Sequence, residues 1–239
     1  MNTIGNTITS SKKDDDLLTL VSEDVCKGIS NKYLCNLPDE WNIECGEKSI
    51  QYKDIRKLAI KNGLSRNKIE EYYSGNNRID TDAHIIYLTI KSGENIIKKP
   101  IYIGEIKKQG TNDRRFEEGK DKQAIGNAAC DRIPKNYLIA GDFCYLCDKE
   151  LFPYTVYLHG CDFSDDYITS TTKSKLHPFF GELNKLNPFF NKDFLLYMNS
   201  KRGGSCFYQK DNFTYEQLYN ICFECCEMCL KYYIDKYKN

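Results

Sequence analysis

Three residues in the middle of the chain, Asp82, Glu105 and Lys107, have the types and spacing for phosphodiester chemistry. Carboxylates are hard oxygen ligands of the kind that hold Mg²⁺, which keeps several waters and takes one or two carboxylates besides phosphate oxygens. A metal held this way polarises a phosphate and helps to form a hydroxide nucleophile. An ammonium beside it orients that water or offsets transition-state charge. Uncatalysed phosphodiester cleavage is so slow that positioning and charge stabilisation must supply on the order of 20 kcal/mol. Read alone, two carboxylates and a lysine at this spacing equally describe the polar end of an exposed strand.

The elements that must position these residues are two strands. Apolar, β-branched runs on either side of the polar segment Lys91 to Asn95 spell a β-hairpin spanning residues 80–110. With Ser92 to Asn95 as the loop, Lys91 pairs with Ile96, and counting back sets Asp82 opposite Glu105. Pro100 has no strand donor and marks an edge or a bulge. Glu105 and Lys107 are two apart, so they project from one face while Ile106 points to the other. Asp80 competes with Asp82 for the ligand role, and His84 follows Asp82 on the same expected strand face. Short helices are expected over 53–60 and 68–73, separated by Asn62-Gly63. Glu70 and Glu71 lie on the second, as a solvated face or as outer support for a metal.

The 239 residues suffice for one sizeable domain, read as residues 17–239 behind a polar, mobile arm at 1–16. No element is assigned between Leu17 and Ser49. Lys plus Arg and Asp plus Glu both number 34, so the chain is no strongly basic, non-selective binder, and any polyanion contact is local. No apolar run approaches the roughly 18 residues of a membrane span, and a secretory signal is absent, which predicts a soluble, cytoplasmic protein. Under those conditions the 12 cysteines are expected as thiols. Thr214 and Gln217 resemble a capping box ahead of a C-terminal helix over 214–236. Its periodic residues are Leu218, Ile221, Cys222, Cys225, Met228, Cys229, Tyr232 and Tyr233. Cys222 and Cys229 would lie about 10 Å apart along the axis, too far for one zinc with bonds of about 2.3 Å. Cys144 and Cys147 have CxxC spacing without a second pair and read likewise as core.

Beyond the hairpin, Lys108, Arg114, Arg115 and Lys120 suit phosphate contacts, which position a protein on DNA without reading sequence. A solvated loop explains them equally well. In the segment 123–136, Gly126 and Ala128 permit close backbone approach, while Asn127, Asp131 and Arg132 suit base edges: Asn pairs bidentately with adenine and Arg with guanine.

Four ordered blocks then carry a resemblance: Gly104 to Gly110, Gly126 to Ala128, Asp131-Arg132 with Lys135-Asn136, and Phe152 to Phe163. In order and spacing the chain resembles the EcoRI-type restriction endonucleases over about residues 78–239. The resemblance implies an α/β fold of the PD-(D/E)xK kind, with a central five-stranded mixed sheet flanked by helices. It implies a homodimer that cuts double-stranded DNA at a short palindromic site with Mg²⁺, leaving 5′-phosphate ends, and a cognate methyltransferase in the same system. Asp82 and Glu105 match the metal-binding carboxylates and Lys107 the catalytic lysine. Gly126, Asn127 and Ala128 match the segment that enters the major groove, and Asp131 and Arg132 the base readers. There are departures. Thr81-Asp82 replaces Pro-Asp, one residue is inserted before Asp131, Lys185 stands for an arginine and Pro188 for a second. The expected site has an A·T-containing core, with outer pairs that differ from the family type or go unread. Two rival readings are a repair-type nicking nuclease of the same fold and a zinc-stabilised, non-enzymatic DNA-binding protein.

Overall fold

Leu18, Val21, Val25 and Ile29 recur at three- and four-residue spacing, and all four are fully buried on one stripe of a long first helix. This computed structural model describes residues 11–108, 136, 139–147, 151–159, 205–209 and 213–238. Helix α1 (Ser11–Tyr33) is followed by a 3₁₀ turn (Leu34–Asn36), β1 (Trp41–Cys45), β2 (Ser49–Gln51), α2 (Tyr52–Lys61) and α3 (Arg66–Tyr72). Then come β3 (Arg78–Asp80), β4 (Ile86–Ser92), β5 (Asn95–Lys108), a helix α4 over 139–147, β6 (Tyr154–His159), β7 (Ser205–Gln209) and α5 (Tyr215–Lys238). Helix α1 begins inside the segment read as a mobile arm, so residues 11–16 are helical; residues 1–10 lie outside the described residues.

The main sheet runs β1-β4-β5-β6-β7. Strands β1, β4 and β5 pair antiparallel, whereas β5, β6 and β7 pair parallel, so the chain is α/β with a mixed sheet, as its class was read. One face is covered by α1 and α5: Trp41 and Ile43 of β1 and Ile86 and Leu88 of β4 share a core with the α1 stripe. The other face carries α2, α3, α4 and the small β2–β3 sheet, through Ile50, Ile55, Ile69, Ile79, Ile103 and Phe143. Strand β1 shows the alternation that a sheet edge with one covered face demands, Trp41 and Ile43 inward and Asn42 outward. Among the described residues, no helix is long and apolar enough to cross a membrane.

Helix α5 starts at the expected capping box. The Gln217 N–H donates to Thr214 Oγ1 at 3.2 Å, and the Thr214 N–H to Gln217 Oε1 at 3.0 Å. Its buried stripe is Leu218, Cys222, Cys226, Cys229, Leu230 and Tyr233. Met228 and Tyr232, expected on that stripe, are 38% and 37% exposed, because only the covering partner decides which of two adjacent periodic rows turns inward. Burial pushes the Cys222 and Cys229 thiols up to about 12 and Cys226 up as well. That is opposite to the thiolate a zinc ligand must be.

The two helices are tied by Glu227, which accepts Lys32 Nζ and the Tyr33 hydroxyl at 2.6 Å each and Lys231 Nζ at 2.9 Å. Partial burial alone would raise this carboxyl, but the three donors outweigh it and hold its pKa at about 2. A folded pKa below the ordinary carboxylate value contributes stability that is present above about pH 4.5 and lost as the pH falls towards 2. Wild type is therefore expected to exceed Glu227→Gln in urea midpoint at pH 7, with the gap narrowing steadily below pH 4.5 as the pH falls towards 2. A gap independent of pH would show that the charge contributes nothing.

Candidate active site

The hairpin closes as its sequence predicts: Lys91 pairs with Ile96 and Ser92 with Asn95 around Gly93, whose φ of +61° suits the tight turn. Regular pairing continues to Tyr87 opposite Pro100, and there the register slips, so that Ile86 faces Tyr102. This bulge falls where proline removes a ladder donor. It also switches the alternation. Ile101 and Tyr102 both enter the core under α1 and α5, and from Ile103 onward the odd positions turn to the α4 face. Glu105 thereby shares the face of Ile103.

The first expected strand is not continuous, which corrects the register that set Asp82 opposite Glu105. Strand β3 ends at Asp80 and pairs with β2, with Ser49 opposite Asp80, and β4 begins only at Ile86. Asp82 and His84 therefore sit in a bend rather than on a strand face. Thr81 shapes that bend: its buried hydroxyl donates to the Ala83 carbonyl at 2.8 Å.

Every backbone donor of the bend is held. The Thr81 N–H reaches the Lys48 carbonyl at 2.9 Å, the Asp82 and Ala83 N–H groups both reach the Gly104 carbonyl at 3.2 Å, and the Ile85 N–H reaches the Glu47 carbonyl at 3.3 Å. The His84 N–H donates to Ser22 Oγ at 3.0 Å. From the α1 side the Thr19 hydroxyl donates to the Asp82 carbonyl at 3.2 Å and accepts Lys48 Nζ at 2.6 Å. The Asp82 carboxylate then bridges to β5, where Oδ2 accepts the Ile106 N–H at 2.8 Å. That N–H belongs to the peptide directly after Glu105, so the contact places the Asp82 carboxylate against the Glu105–Ile106 peptide.

Glu105 is 1% exposed, and its Oε1 accepts Asn136 Nδ2 at 2.7 Å. Asn136 lies just ahead of α4, which is anchored in turn: buried Asp142 accepts the Tyr73 hydroxyl, and the Leu146 carbonyl accepts Asn62 Nδ2 at 3.1 Å. A buried carboxylate is retained only where hydrogen bonds or a cation compensate its lost hydration. Asn136 supplies part of that compensation. Its replacement by Ala is expected to lower any activity of the site by about 10- to 100-fold, the usual effect of deleting a residue that orients a metal ligand. Unchanged turnover with intact folding would remove Asn136 from the site.

Asp80 is placed elsewhere: exposed on β3, it pairs with Arg78 at 2.8 Å. Glu70 and Glu71 are exposed, and Glu70 pairs with Arg66 at 2.8 Å, so they form a solvated face. Lys107 and Lys108 stand in β5 opposite Leu158 and His159, but their side chains lie outside the described residues. Gly126, Asn127, Ala128, Asp131, Arg132, Lys185, Arg114, Arg115 and Lys120 also lie outside the described residues. Thr19, Ser22 and Lys48 hold the Asp82 bend and were not singled out in the sequence. The signal that could have found the first two is their place beside the Leu18-Val21-Val25 stripe.

Among the described residues, no group of three or more His, Cys, Asp or Glu is disposed to hold a metal ion. A pair of carboxylates suffices for Mg²⁺, which completes its shell with water and substrate. Asp82 and Glu105 fit that donor set. Both are hard oxygen ligands, and each is oriented by an N–H donor. No family model, no curated protein and no solved structure matches the chain.

Proposed function

We propose that the chain is an Mg²⁺-dependent, site-specific endonuclease of the PD-(D/E)xK kind, hydrolysing phosphodiester bonds of double-stranded DNA as a homodimer. The observation that carries the reading is the Asp82 carboxylate on the N–H that follows buried Glu105, on the central strand of a mixed sheet. The order β1-β4-β5-β6-β7, antiparallel then parallel, agrees with the five-stranded sheet of that architecture.

Asp82 and Glu105 would hold the metal. Mg²⁺ bound there supplies Lewis-acid stabilisation of the phosphate and a hydroxide nucleophile at neutral pH. The chain's own part is preorganisation. The bend of residues 81–85 cannot drift, because α1, the Glu47-Lys48 backbone and Gly104 hold it from three sides. Asn136 fixes Glu105, and burial of Glu105 strengthens its field. Lys107, two positions along β5, takes the role of orienting the attacking water and offsetting charge. Asn127, Asp131, Arg132 and Lys185 take base readout, with Gly126 and Ala128 giving the backbone room, and the downstream cations take phosphate contacts.

Supercoiled plasmid incubated with the protein and Mg²⁺ is expected to give linear DNA with discrete bands. Nicked circles without linear product would favour single-strand repair chemistry. No cleavage by wild type, with about one zinc per chain, would favour the zinc-stabilised binding protein.

A further inference from the structure

The cleft between α1 and the end of β1 holds two thiols that the proposed chemistry does not use. Cys26 of α1 is buried and Cys45, the last residue of β1, is exposed. Their thiols interact across the cleft, and together with Glu23, Lys27, Ser30 and His84 they line a volume of about 550 Å³. We propose that Cys26 and Cys45 are a redox-reactive dithiol, in which Cys45 takes a low-molecular-weight disulfide such as oxidised glutathione and Cys26 closes an intramolecular disulfide joining α1 to β1.

The two cysteines have different environments, and that assigns their roles. Cys45 is pulled down to about 7, first by its interaction with the Cys26 thiol and further by the Lys27 ammonium, against its partial burial and Glu23. The same interaction, together with burial, pushes Cys26 up, so Cys26 keeps the proton and Cys45 becomes the thiolate. Cys45 attacks one sulfur of the small disulfide, whose S–S bond breaks and whose first thiolate leaves and takes up a proton. Cys26 then gives up its proton and attacks Cys45 Sγ, breaking the mixed disulfide and releasing the second small thiol. The protein loses two protons and two electrons, and the small disulfide gains them. The two thiols face one cleft from neighbouring elements, and closure brings them to the bonded distance of about 2.05 Å.

A pKa of about 7, against an ordinary value near 8.5, gives Cys45 roughly ten- to twentyfold more thiolate at pH 7 than an ordinary thiol. The weaker nucleophilicity of a low-pKa thiolate takes back about fivefold of that advantage. Exposed Cys35, in the same chain, is the internal reference.

The full-length protein is treated with oxidised glutathione at pH 7, alkylated, digested and measured by mass spectrometry. The expected result is modification at Cys45 about threefold faster than at Cys35, followed by a peptide pair linked through Cys26 and Cys45. Cys26→Ser is expected to stop at the glutathione adduct on Cys45, and Cys45→Ser to leave Cys26 unmodified. If Cys26→Ser does not fold, the wild-type peptides decide. A glutathione adduct persisting on wild-type Cys45, or labelling of Cys45 no faster than of Cys35, would overturn the assignment. The test reads sulfur chemistry alone, so its outcome is independent of DNA cleavage.

Discussion

Glu105→Ala is expected to lower the rate of DNA cleavage by at least about 10³-fold while leaving DNA binding within a few fold of wild type. A metal ligand beside the reacting phosphate contributes several kcal/mol to transition-state stabilisation, and each 1.36 kcal/mol is a tenfold rate. The proposed DNA contacts fall on other segments of the sequence, so binding is expected to survive. The fold is expected to survive too: the change leaves Asn136 Nδ2 without this acceptor, at a cost of about 1–3 kcal/mol, but it also removes a buried carboxylate. Asp82→Asn separates chemistry from scaffold more sharply. An amide oxygen can still accept the Ile106 N–H, so the bend stays on β5 while the charge on the ligand is gone. Single-turnover cleavage of a duplex oligonucleotide, beside a gel-shift measurement of binding, checks both variants. Cleavage at the wild-type rate by either would remove that residue from the site.

The second large effect is expected at Gly104, where the backbone of β5 passes over Tyr102. A Cβ at this position would collide with the Tyr102 hydroxyl, 2.9 Å from its Cζ and 3.0 Å from the Ala83 Cβ. Tyr102 has nowhere to move. It is fully buried, and its hydroxyl lies 3.1 Å from the Tyr157 hydroxyl and 3.0 Å from Cys222 Sγ, with Tyr157 and Cys222 also in contact at 3.1 Å. Overpacking of this kind costs about 1–3 kcal/mol. For a chain of this length Gly104→Ala should lower Tm by roughly 2–12 °C. The Gly104 carbonyl also accepts the N–H groups of Asp82 and Ala83, so the same displacement should reduce cleavage beyond what the stability loss explains. Tyr102→Phe in the Gly104→Ala background removes the colliding oxygen and should recover part of both losses. A strictly additive double mutant would refute the collision.

Much of the arrangement was legible from local sequence. The turn at Gly93, the break at Asn62-Gly63 and the Thr214/Gln217 cap are local chemistry, and each lies where its residues predict. Asp82 and Glu105 were legible as acids at the ends of apolar runs. What failed was whatever depends on a distant partner. Pro100 announces a missing donor but not the direction in which the ladder slips, and that slip turns Glu105 to the α4 face. Helix α1 was missed because Leu17 and Leu20 blur its stripe, which is defined only once the sheet and α5 cover Leu18, Val21, Val25 and Ile29. Asp82 was preferred to Asp80 by a strand register that the bend after Asp80 overturns; the Ile106 N–H, 24 residues away, is what sets Asp82 apart. Thr19 meets the Asp82 carbonyl across 63 residues, a separation no local pattern encodes.

The most direct test of the nuclease reading is to sequence every DNA end produced from a mixed-sequence substrate by wild type and Glu105→Ala, with and without Mg²⁺. The account requires 5′-phosphate ends at one short palindromic sequence, from wild type with Mg²⁺ alone. Ends scattered without regard to sequence, or ends that persist in Glu105→Ala or without the metal, would contradict it.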